Sequence, residues 1–211
     1  MEDKKLTEKE SLALIAEMIR NTRDRLQIGD GNILLIWGYV SSAAAVLTYI
    51  LSIMTGDPRS NLIWILIPLV GLPLAKREKN RQKSETKPMT YTDKVSSGLW
   101  KITGTLAFIG TALCTGFMFY GYNSWLLMFI YALVIVGIAS AFQGIVIREQ
   151  TLIAGGLFSV SAGGFVTCCK ICGIPVLMSW AMPLFIISFI MMTIIPGHVI
   201  NYKAHRICQE N

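Results

Sequence analysis

Three stretches of the chain, 102–147, 151–169 and 171–197, contain no charged side chain and no histidine. Apolar runs longer than about 18 residues mark helices that cross a membrane. Divided at turn residues, the apolar sequence yields six predicted spans: 33–54, 62–75, 99–120, 125–147, 152–169 and 176–195. The joints TGDPRS, GYNS, REQT and KICGIP are short, and most draw on the turn chemistry of Gly, Pro, Asn and Asp. Only the polar stretch 76–97 is long. The expected fold is an all-α integral membrane protein, a six-transmembrane-helix bundle with an amphipathic N-terminal cytoplasmic helix.

That leading helix is read from a different pattern. In TEKESLALIAEMIRNTRDRLQIGDG, Thr7 and Glu10 fit a capping box and Gly29 and Gly31 supply a stop. Leu12, Ile15, Ile19 and Leu26 recur at helical spacing and form a candidate partner-docking face, with charges of both signs opposite. The chain thus divides into a cytoplasmic helix (1–31), a bundle (32–201) and a cytoplasmic tail (202–211). No cleavable leader is expected, because the first thirty residues are densely charged.

Two spans carry irregularities. The second has fourteen apolar residues, about 21 Å of helix against a ~30 Å hydrocarbon core, and contains Pro68, Gly71 and Pro73. Pro68 and Pro73 are expected to kink it. Pro196, followed by Gly197, is expected to break the sixth span, with an interfacial helix continuing beyond. Small residues supply the packing surfaces that membrane helices need. Gly155, Ser159 and Gly163 recur every four residues, Gly156 and Gly164 lie beside them, and Gly137 pairs with Ala141. These stripes fit packing within one bundle or a homo-oligomer face.

Composition agrees with the pattern: 53% of residues are hydrophobic and only 15% charged, against about 25% charged in soluble domains. Orientation follows from the 19 lysines and arginines. With both termini cytoplasmic, only Arg59 and Lys170 face outward, as the positive-inside bias requires. Such a chain belongs in a membrane, multi-pass, with both termini on the cytoplasmic side. Trp37, Trp64, Trp100, Trp125 and Trp180 each open a different span and are expected to form an interfacial belt.

Candidate chemistry is sparse. No carboxylate or basic side chain lies in the middle of a span, which disfavours ion-coupled transport. Cys168, Cys169 and Cys172 cluster at the outer end of the fifth span, near the level of Cys114. Cys169 and Cys172 are a possible disulfide pair or free packing thiols. Redox catalysis is disfavoured, since a helix carboxyl terminus opposes thiolate formation. His198 and His205 lie on the opposite side from those cysteines, so no metal site is expected. No phosphate loop, metalloprotease pair or nucleophile elbow is present. Neither an enzyme nor a cofactor is expected, and the basic loop lacks any nucleic-acid-binding pattern.

The opening LTEKESLALIAEMIRNT, the WGYV of the first span and the closing IPGHVINYKAHR resemble a family of small multi-span bacterial inner-membrane proteins. That resemblance implies a leading helix and several spans, and assigns no activity. The CCKIC cluster is not part of the family pattern. The expected function is signalling, assembly or scaffolding through the cytoplasmic helix and loop. Membrane lipid and either a cytoplasmic protein or a second copy are the expected partners. The alternative is a small transporter or channel for a neutral or lipophilic solute.

Overall fold

The computed structural model describes residues 31–83, 91–122 and 124–209. The candidate docking face at Leu12, Ile15, Ile19 and Leu26 lies outside them, as does part of the basic loop. The described chain forms helices and turns only: α1 (Asn32–Thr55), a 3-10 segment (Pro58–Ile65), α2 (Leu66–Lys83), α3 (Tyr91–Phe119), α4 (Trp125–Ile147), α5 (Gln150–Ile171), α6 (Met178–Phe189), a π segment (Ile190–Ile194) and α7 (Ile195–Gln209).

Among the described residues, five helices are long and apolar enough to cross a membrane. They are α1, α3, α4, α5 and the continuous run from Met178 to Arg206. The second predicted span is a composite. Asp57 accepts the Arg59 N–H at 2.8 Å and Pro58 opens a 3-10 segment, which passes into α helix at Leu66. The four apolar residues 62–65 rising ~2.0 Å each and the ten from Leu66 at ~1.5 Å give about 23 Å of apolar length. The 3-10 geometry lengthens the apolar stretch by only about 2 Å, and the segment is not among the five. Pro68 sits just past the switch to α geometry; Pro73 lies inside α2, where it withholds a donor from the Leu69 carbonyl.

The sixth predicted span does not break at Pro196. Instead α6 widens into the π segment, where Ile195 N–H donates to the Ile190 carbonyl, five residues back. The helix continues through Pro196 and Gly197 into α7. A widened turn accommodates a proline that an α ladder would exclude. The π segment also packs against α1, α4, α5, α6 and α7, so it is the hub of the bundle.

The tightest pairing is the hairpin of α4 and α5. Arg148 adopts a left-handed conformation (φ 58°) and Glu149 caps α5, so two residues reverse the chain. A side chain at Gly156 would collide with the Gly137 carbonyl and with Ala141, at 2.6 and 2.5 Å. Ser159 is fully buried and its hydroxyl donates to the Leu133 carbonyl at 2.9 Å. Gly163 lies against Val134 and Leu133. Gly155 faces the other way, onto the Met191 backbone of the π segment. The small residues thus serve two internal contacts, whereas Gly164 faces open space.

At the end of the bundle away from the chain termini, an aromatic cluster fills the core. Phe185 is stacked on Phe189 at 4.5 Å, and Trp64 and Phe129 flank it at 5.0 and 5.1 Å. Trp64 is buried here, not in an interfacial belt, because the 3-10 segment turns it inward. Trp37 likewise packs on Gly71, joining α1 to α2. The outer faces remain apolar: Ile53, Met54, Phe108, Leu113 and Phe119 are all exposed, as expected of a surface that lipid covers.

Candidate functional site: a polar clamp at the basic end

The opposite end gathers Gly31, the basic end of α2, the α4–α5 turn and α7. Ile200 and Leu34 are buried with Leu152, and Trp100 and Ile147 pack against them. Ile200 and Ala204 share one face of α7, seated on this small core. Polar groups flank it.

Asn201 has two tasks. Its Oδ1 accepts the Gly31 N–H at 3.0 Å, and its Nδ2 donates to Asn32 Oδ1 at 2.8 Å. Asn32 Nδ2 in turn donates to Glu78 Oε1 at 2.7 Å, and Arg81 joins the same carboxylate at 3.1 Å. A side chain at Gly31 would strike the Gly197 carbonyl, so the two backbones cross in contact here. Gly31, the first described residue, is therefore held by α7.

Lys203 forms the second tie. Its Nζ donates to both oxygens of Glu149, at 2.7 and 3.0 Å, while the Thr151 hydroxyl donates at 3.0 Å. Glu149 is only 3% exposed. Burial pushes its carboxyl up, but hydrogen bonds from Lys203 and Thr151 and the Lys203 charge outweigh that, holding the group below the ordinary carboxylate range. A third tie joins Tyr39 Oη and His198 Nε2 at 2.8 Å. The clamp thus fastens α1, α2 and the α4–α5 turn to one terminal helix.

Elsewhere the predicted chemistry does not assemble. Cys114, Cys168, Cys169 and Cys172 are free thiols; Cys169 is buried and Cys172 is exposed just past α5. Among the described residues no three His, Cys, Asp or Glu side chains converge as metal ligands. A cleft of about 50 Å³, room for a few waters at most, lies between the 3-10 segment, α3, α4 and α6, lined by Trp64, Cys114, Phe129 and Phe185.

Sequence reasoning missed the clamp. The sequence presents REQT as a turn, Asn201 as the last residue of the bundle and Lys203 as part of the tail. Glu149 before an apolar run carried a capping signal, but nothing local marks Lys203 as its partner across 54 positions. Comparison with protein-family models, curated proteins and solved structures finds no match.

Proposed function

We propose that the protein is a six-span inner-membrane protein without an enzymatic site, with both termini cytoplasmic. It engages a protein partner through its leading helix and basic loop, in signalling, assembly or scaffolding. The observation that carries this reading is the clamp. Gly31, which follows the leading helix in sequence, is hydrogen-bonded to Asn201 and crosses Gly197, and the same network reaches Glu78 near the start of the basic loop. A force or charge applied to the leading helix is therefore transmitted to α7 and through it to the π hub. Counting the 3-10 and α2 composite as the sixth crossing places Gly31, the loop, the α4–α5 turn and α7 on one side. The resemblance of both chain ends to small bacterial inner-membrane proteins supports the same architecture.

A photo-cross-linking side chain at Ile15 tests the reading in intact cells. One protein adduct of defined mass is expected from Ile15 and none from lipid-facing Phe108, while removal of residues 1–28 leaves the melting of the bundle unchanged. Transport of a small neutral solute is the second reading, favoured by the proline inside α2 in the second span. Adducts with lipid alone, together with solute flux into liposomes that survives the deletion, would overturn the docking reading in its favour.

A further inference from the structure

The outward face of α2 changes character along one line. Leu69, Leu72, Lys76 and Lys79 follow three-four spacing and all four are exposed. Residues so spaced lie one above another on a helix. Leu69 and Leu72 belong to the apolar half of α2, and Lys76 and Lys79 to the half that projects past it. The helix's principal packing partners are α1 and the 3-10 segment, on its other side.

Charge on this helix is sorted, not merely abundant. Glu78, its single acid, turns toward the bundle, where it binds Asn32 and neutralises Arg81. Among the described residues Lys76, Arg77 and Lys79 have no ion-pair partner. A general excess of cytoplasmic base requires no such sorting.

We propose that this stripe binds an anionic phospholipid, with the phosphate between Lys76 and Lys79 and an acyl chain along Leu72 and Leu69. Side chains three apart are about 5–6 Å apart at Cβ, a spacing that two ammonium groups can share across one phosphate. Leu69 lies about 10 Å along the axis from Lys76, within reach of the acyl chain of the same molecule. Arg77 adds charge beside them. The inference rests on the membrane-embedded reading above and deepens it by naming a lipid partner.

The test uses the full chain in nanodiscs of equal phosphatidylcholine and phosphatidylglycerol, released for native mass spectrometry. The expected result is on the order of tenfold enrichment of phosphatidylglycerol adducts, lost in Lys76→Gln/Lys79→Gln and retained in Lys94→Gln/Arg148→Gln. Equal retention of both lipids, or equal loss in the two variants, would overturn the proposal. Displacement of the lipid by millimolar glycerol 3-phosphate would overturn it too, by assigning the stripe to a soluble phosphate. Failure of the chain to enter nanodiscs at all would instead sink the membrane reading.

Discussion

Glu149 shows how one residue can tie distant parts of this chain. It caps α5, takes both bonds from Lys203 and is nearly closed to solvent. Losing the buried acceptor costs on the order of 1–3 kcal/mol, discounted because the Lys203 side chain is 49% exposed. Its folded pKa lies below the unfolded value of about 4.3. The carboxylate therefore stabilises the fold above that value, and the contribution disappears as pH falls through the folded pKa. Glu149→Gln is expected to melt roughly 3–10 °C lower at pH 7, with the gap closing as pH falls through the folded pKa of the carboxyl. A constant gap across that range would contradict the ionic role. Only the cap was legible in REQT, since a capping residue shows locally and its ion partner does not.

At the scale of elements, periodicity located the helices but not their geometry. The π segment carries the same apolar pattern as α helix, and only packing distinguishes it, whereas the 3-10 segment opens on the polar stretch 58–61. Trp64 turns inward onto Phe185 because the 3-10 segment directs it there; Pro196 sits in a continuous helix because the widened turn before it makes room. The small-residue stripe was legible as packing, whereas the division of labour within it required the neighbours. Gly155 meets the Met191 backbone and Gly164 meets nothing. Gly155→Ala must push α5 from the π segment, at about 1–3 kcal/mol. Gly164→Ala should stay within about 0.5 kcal/mol of the parent. Thermal unfolding of both variants in one detergent tests this, and equal losses would show that the π segment is not a packing hub.

For the whole molecule, the uncharged runs made the membrane-spanning bundle legible, since nothing else accommodates so much apolar length. What joins its ends was not legible: Gly31 and Asn201 stand 170 positions apart and meet only when every intervening crossing is counted correctly. The central claim is that the leading helix, the basic loop and the clamp share the cytoplasmic side. It depends on the 3-10 and α2 composite being a true crossing, for six in all. An impermeant maleimide applied to sealed right-side-out vesicles measures this directly. The probes are Thr7→Cys, native Cys208 and native Cys172, each as the sole cysteine. Labelling is predicted at Cys172 alone, with position 7 and Cys208 reacting only after permeabilisation. Labelling of either terminal site from outside would contradict the account.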